Sequence, residues 1–254
     1  MFKHILYIFS AAALLLSCEK NSLQLPIDPV TSGARIKLIH AAPDLASIDL
    51  FVGGVKFSGF VPVGATLTFP GRPTGIPYNS TFPNTGSNYA IIKAGAQPIT
   101  ISVPTSTSTG SATVVNTQTL NLEDNKYYSL FVAGPGAQPE VLLVNDALEG
   151  VVDPTKINVR FVNMIPGSSY DVALTAPNTT LATNLGYKGV TPFIPVDAIA
   201  GPTFAFRLPG VVATNVGVIQ FTNSSSGRAV TVFLRGVVGR AAPAAPGINV
   251  YVNR

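Results

Sequence analysis

His40 and Asp44 stand four residues apart in the stretch HAAPD, and Asp49 follows in the next apolar run. An imidazole beside a carboxylate is the pairing that a general base and its orienting partner require. The rest of the chain offers that pair little to work with. No Gly-x-Ser-x-Gly supplies an exposed nucleophile. The 12 acidic residues are scattered, so no two stand out as the paired carboxylates of a glycoside hydrolase. Glu123, Asp124 and Asn125 are consecutive oxygen donors, a spacing that seldom converges on one calcium ion. HAAPD also suits a turn: His40 ends one face of a strand, and its ring can bond the turn that Pro43 and Asp44 build. His40, Pro43, Asp44 and Asp49 are therefore expected to be structural, with no enzyme activity, no metal and no cofactor.

The second chemical residue is Cys18, the one cysteine in 254 residues. It has no partner for a disulfide, a Cys/His zinc site or Cys-His catalysis. Ahead of it, Lys3 is followed by an apolar run from Ile5 to Leu16 broken only by Ser10. That run of about 12 residues is shorter than the roughly 20 a membrane-spanning helix needs, and it fits a secretory signal. Leu15-Leu16-Ser17-Cys18 resembles the bacterial lipobox, in which the chain is cut after Ser17 and Cys18 is acylated on sulfur and on its new amine. Several acyl chains hold a protein firmly to a bilayer without spanning it. Glu19 in place of Asp after the cysteine favours delivery to the outer membrane, with the face of that membrane left open.

Removing residues 1–17 takes away Lys3 and lowers the net charge from +4 to +3. Only 11% of residues are charged, and no basic run forms a nucleic-acid footprint. Gly and Pro number 23 and 21, hydrophobic residues reach 46%, and tryptophan is absent. Val, Ile, Thr and Phe outnumber the strong helix formers, which suits short strands joined by turns.

The elements that must hold these residues repeat. RIKLIHAAPDLASIDL (35–50) parallels NVRFVNMIPGSSYDV (158–172), aligning Lys37 with Arg160, Pro43 with Pro166 and Asp49 with Asp171. YYSLFVAG (127–134) parallels AVTVFLRG (229–236), and VLLVND (141–146) parallels NVYVNR (249–254). The two halves open and close alike at a spacing of about 115 residues, as tandem copies do. Within each copy the apolar period is two. Ile36, Leu38 and His40 share one face, with Arg35, Lys37 and Ile39 on the other; Ile99, Ile101 and Val103 alternate with Thr100 and Ser102. After Cys18 no run of about 12 residues keeps a helical period. The expectation is an all-β protein: a signal peptide (1–17), a lipidated cysteine and tether (18–33), and two tandem β-sandwich domains (34–150 and 155–254). Their architecture is immunoglobulin-like, without that fold's disulfide or tryptophan.

ARIKLIHAAPDLASIDLFV (34–52), the Gly53-Gly54 turn and KYYSLFVAG (126–134) resemble the bacterial domain of unknown function 4397 family. The resemblance is good over roughly 34–148 and weaker over 157–254, where Asn163 stands for His40 and Gly167 for Asp44. It implies a secreted or surface protein with repeated domains and no established activity, of a kind common in Bacteroidota.

One stretch departs from the strand pattern. PGRPTGIPYNSTFPNTGSN (70–88) reads as a long loop carrying Arg72, Tyr78 and Phe82. Long loops are often functional, and aromatics on them can stack on sugars or enter a partner's pocket. The sequence thus points to a lipid-anchored envelope protein that presents loops to a glycan or an envelope partner. The alternatives are a structural spacer and, more remotely, a carbohydrate-active hydrolase. Oligomeric state is not encoded in any motif.

Overall fold

The computed structural model describes residues 31–58, 61–63, 72–84, 86–104, 112–150, 153–198 and 201–254, with the backbone alone for 61–63 and 72–74. Ser17, Cys18 and residues 18–30 of the tether lie outside the described residues.

Alternating runs between Gly, Pro and Asn turns form strands throughout, and the one helical piece among the described residues is a 3-10 turn at Asn223–Ser225. The first copy comprises β1 (Ala34–Ala41), β2 (Ser47–Val52), β3 (Val55–Lys56), β4 (Val61–Val63), β5 (Arg72–Thr74), β6 (Ile76–Pro77), β7 (Thr81–Phe82), β8 (Ala90–Ile92), β9 (Gly95–Val103), β10 (Thr113–Leu122), β11 (Tyr127–Ala133) and β12 (Glu140–Asn145). The second comprises β13 (Lys156–Asn163), β14 (Ser169–Leu174), β15 (Thr179–Gly186), β16 (Ile194–Asp197), β17 (Thr203–Arg207), β18 (Gly217–Gln220), β19 (Ala229–Arg235) and β20 (Gly247–Val252).

The two copies share one topology. In the first, β12-β11-β1 continues to β7 and β8, and it faces β10-β9-β2-β3. In the second, β20-β19-β13-β16 faces β18-β17-β14-β15. Each copy pairs its first strand in parallel with its penultimate one: Leu38 opposite Leu130 in the first, Phe161 opposite Val232 in the second. Each also fills its own core from alternate positions. Ile36, Leu38, Ile48, Leu50, Ile99, Ile101 and Leu130 pack in one; Val159, Phe161, Val172, Phe204, Phe206 and Val232 pack in the other. The chain is thus all-β, built from two tandem sandwiches.

A third core lies between the sandwiches. Ile39, Ala41, Phe131, Ala133 and Val144 from the first meet Val162, Met164, Phe233 and Tyr251 from the second. The Phe131 and Phe233 rings meet edge-on at 5.6 Å between centroids. These two residues hold equivalent positions in the copies, so the packing approximates a two-fold within one chain, as an isologous dimer interface would. The central strands are consequently buried on both faces: β1, β11, β13 and β19 each expose at most one residue even partly. Burying each of these phenylalanines contributes about 1.5–3 kcal/mol.

The segment 70–88 is not a long open loop. It contains β5, β6 and β7, with β6 pairing to β2 and β7 to β1. Its prolines lack the N–H that a strand interior needs, so short edge pieces are the form such a sequence takes.

Candidate functional site

His40 is fully buried. Its Nε2 lies 2.8 Å from the Leu45 carbonyl, and its Nδ1 accepts the Ala42 N–H at 3.4 Å. The accepting Nδ1 must be unprotonated, so the ring is the neutral tautomer donating from Nε2. Burial pushes its pKa down to about 4, against the opposing pull of the Leu45 carbonyl. Asn163 performs the same task in the second copy. Its Oδ1 accepts the Ile165 N–H at 2.9 Å, and its Nδ2 donates to the Ser168 carbonyl at 3.1 Å and the Leu185 carbonyl at 3.0 Å. Both residues close the turn after the first strand, with one acceptor and one donor at matched offsets.

The carboxylates near His40 are also committed. Asp49 is buried and accepts Lys56 Nζ at 2.8 Å and Ser58 Oγ at 3.1 Å. Asp171, its counterpart, accepts the N–H groups of Asn184 at 2.7 Å and Gly210 at 2.9 Å, which hold its carboxyl below the usual range. Asp44 accepts the Gly136 N–H at 2.5 Å and pairs with Arg240 of the second sandwich. The Gly136 N–H and then Arg240 hold Asp44 low. Pro43 lies in the same turn, between His40 and Asp44.

Tyr78 and Phe82, the aromatics of the 70–88 segment that could either reach a ligand or pin the segment to its own domain, both lie against the body. Tyr78 is half-buried, edge-on to His40 at 5.8 Å, with the Arg235 guanidinium 5.6 Å over its ring. Phe82 pairs opposite Leu38 in the sheet and packs edge-on to Phe57 at 6.1 Å. Both residues are half-buried. The backbone of Arg72 pairs with Val63; its side chain lies outside the described residues. His40, Asp44 and Tyr78 do come together, but as one end of the junction between the sandwiches, clamped by Arg235 and Arg240.

The other end of the junction holds a polar seam that sequence reading missed. Arg160 and Asp146, from different sandwiches, pair at 2.6 Å with side-chain exposures of 2% and 0%. Asp146 also accepts the hydroxyls of Tyr89 at 2.6 Å and Ser129 at 2.8 Å. Arg160 donates to Thr231 Oγ1 at 2.8 Å and lies 4.8 Å under the Phe193 ring. Thr231 donates to Asn253 Oδ1 at 2.7 Å, and Asn253 Nδ2 donates to the Tyr89 hydroxyl at 2.8 Å. Burial and the nearby Asp146 carboxylate push the Tyr89 hydroxyl far up, so it remains a donor. Lys37 lies against the same seam. Its Nζ donates to the Gly86 carbonyl at 2.8 Å and sits 5.1 Å from the Tyr89 ring centroid and 5.8 Å from that of Tyr251. Burial lowers its pKa to about 8, with Asp146 opposing. Lone basic residues in the middle of two aligned apolar strands were the available signal. A buried ion pair removed from water is weak evidence for stability, but it fixes one geometry between the parts that carry it.

Beside this seam a cleft of about 390 Å³ opens to solvent. Ser87, Asn125, Tyr127, Leu148 and Glu149 of the first sandwich line it with Asn253 and Arg254 of the second. Arg35 stacks 5.3 Å over Tyr127 and donates to Asn125 Oδ1 at 3.1 Å.

No curated protein matches this chain. Among solved structures, a family 26 carbohydrate-binding module of Eubacterium rectale, determined with maltoheptaose, aligns over 85% of this chain and 96% of its own at 9% identity. Its TM-score is 0.25. The model of the family described as "Domain of unknown function (DUF4397)" matches residues 34–170, which is the whole first sandwich and the first strand of the second. That match spans more than half of the sequence, and the chain belongs to the domain of unknown function 4397 family.

Proposed function

We propose that this chain is a lipid-anchored binding protein of the bacterial cell envelope with no catalytic chemistry of its own. The signal peptide is cut after Ser17, and acylated Cys18 holds the protein on the outer membrane of a member of the Bacteroidota. The tether to residue 33 separates the sandwiches from the bilayer, and they serve as a rigid mount for recognising a glycan or an envelope protein. The observation that carries the non-catalytic reading is the fate of His40. It is the only imidazole after Cys18, and it is buried, neutral and bonded into a turn that the second copy builds with Asn163. A general base must reach substrate, and this one does not. The anchor rests on the Leu-Leu-Ser-Cys motif and on a thiol with no other partner to serve.

Growth with an alkyne-tagged fatty acid tests the anchor. Label on the wild-type chain in the membrane fraction, and none on Cys18→Ala, is the expected result. An unlabelled wild type, or a labelled variant, overturns it. The packing of Tyr78 and Phe82 favours a second reading, a spacer that recognises nothing. Failure of the full chain to retain any glycan or envelope protein would decide for the spacer.

A further inference from the structure

We propose that Arg207, with the side-chain amides of Asn178 and Asn215, forms a binding site for an oxyanion, a carboxylate or sulfate group, on the outer face of the second sandwich. This goes beyond the binding-protein reading and depends on neither the anchor nor a glycan.

β17 turns Phe204 and Phe206 into the second core, so alternation puts Ala205 and Arg207 on the opposite face of its sheet. The strands of that sheet, β18-β17-β14-β15, contribute nothing to the third core, so this face looks away from the junction. Arg207 is nevertheless only 7% exposed. Its Nε donates to Asn215 Oδ1 at 2.9 Å and its Nη1 to Asn178 Oδ1 at 2.8 Å. Nη2 has no partner among the described residues and is open to solvent. Asp171 lies opposite Arg207 in the register but gives its two oxygens to the N–H groups of Asn184 and Gly210. Among the described residues no ion pair includes Arg207. The segments that carry the two asparagines, 172–187 and 208–227, contain no charged residue. A cation withdrawn this far from water calls for a compensating charge, and the neighbouring chain brings none.

The two amides fix the sign of the ligand. A guanidinium offers only donors, so the amide atom facing it must be oxygen, and each Nδ2 group faces away. Asn178 and Asn215 are both exposed, and neither Nδ2 donates to another atom among the described residues. The free groups of the site, Nη2 and the two Nδ2, are therefore all donors around one positive charge. An oxyanion accepts from such a set through charge-assisted bonds, about twice as strong as neutral ones. A neutral hydroxyl compound would need acceptors as well, and a cation would be repelled. The first copy lacks the site. Asp49 aligns with Asp171, and its register partner is Ser102 where Asp171 has Arg207. Asp49 there pairs with Lys56, so the charge on that strand is balanced within the copy.

Isotope labelling of arginine and asparagine nitrogens in the detergent-solubilised full chain lets NMR follow the Arg207 Nε–H and the Asn178 and Asn215 amides. Acetate or sulfate is titrated at an ionic strength held constant with chloride, and acetamide is the neutral comparison. Saturable shifts of these signals with at least one of the two anions, and none with acetamide, are expected, with a midpoint on the order of millimolar. Whichever anion responds identifies the oxyanion as a carboxylate or a sulfate. Arg207→Met should abolish the response of the two amides. Asn178→Asp, at an exposed position, sets a carboxylate against the guanidinium and should weaken the response at least about tenfold while Arg207 stays in place, so the test stands even if Arg207→Met folds poorly. An arginine that only ties two loops together predicts no response. No saturable shift with either anion, an equal shift with acetamide, or a response unchanged in Asn178→Asp would overturn the assignment.

Discussion

The turn role of His40 makes a quantitative demand on stability between pH 4 and 7. The ring is neutral in the fold because Nδ1 already accepts the Ala42 N–H, and a proton there would set two donors against each other. Its pKa is about 4 in the fold against 6.5 for an unperturbed imidazole. Below pH 6.5 the unfolded chain therefore takes up a proton that the folded chain refuses. Stability contributed by neutral His40 is full above about pH 6.5 and is lost as the pH falls toward 4. At about 1.4 kcal/mol per pKa unit, that gap amounts to about 3 kcal/mol over the window. No other histidine follows Cys18, so the upper part of this slope belongs to one residue, while Glu149, held low by Lys126, begins to lose its own contribution near its ordinary value of 4.5. Asp44 and Asp171, both held low, lose their contributions further down, below the ordinary carboxylate range. In His40→Asn the amide can copy the bonds of Asn163. The variant should lose about 1–2 kcal/mol at pH 7.5, chiefly to the smaller side chain, and should flatten the slope between pH 5 and 6.5. Urea unfolding at half-unit pH steps measures both. A wild type with no slope in that window, or a variant that keeps the slope, would refute the buried neutral imidazole.

Two further predictions concern the seam. Asp146→Ala leaves the Arg160 guanidinium buried without its partner and should cost about 3–5 kcal/mol; Asp146→Leu with Arg160→Met should recover most of it, as a double-mutant cycle by denaturant unfolding would show. Lys37 holds its proton only below about pH 8 in the fold, whereas the unfolded lysine holds it to about 10.5, so this residue's contribution rises with pH between those values. Lys37→Met should remove that rise and stabilise the protein at pH 7 by about 1–3 kcal/mol, read from the shift in urea midpoint.

The repeat and the two-residue period carried most of the fold, because each sandwich buries one face of every strand and alternation records that directly. What alternation does not record is a second buried face. Lys37 and Arg160 lie on the second faces of β1 and β13, and both are interior because the other sandwich covers those faces. The available trace lay in YYSLFVA and AVTVFLR, where apolar residues run on with few polar interruptions, the pattern of strands covered on both sides. The turn reading of His40 followed from Pro43 and Asp44, which are local. The cleft was not legible, since Ser87, Tyr127 and Asn253 are distant in sequence and meet only through the junction. The 70–88 segment misled because Pro and Gly mark edge strands and loops alike.

Calorimetry of the full chain tests most directly whether the two copies form one body whose junction builds the cleft. The third core and the Arg160–Asp146 pair predict a single unfolding transition whose calorimetric and van't Hoff enthalpies agree. Two separate transitions in the wild type, one for each sandwich, would contradict the account.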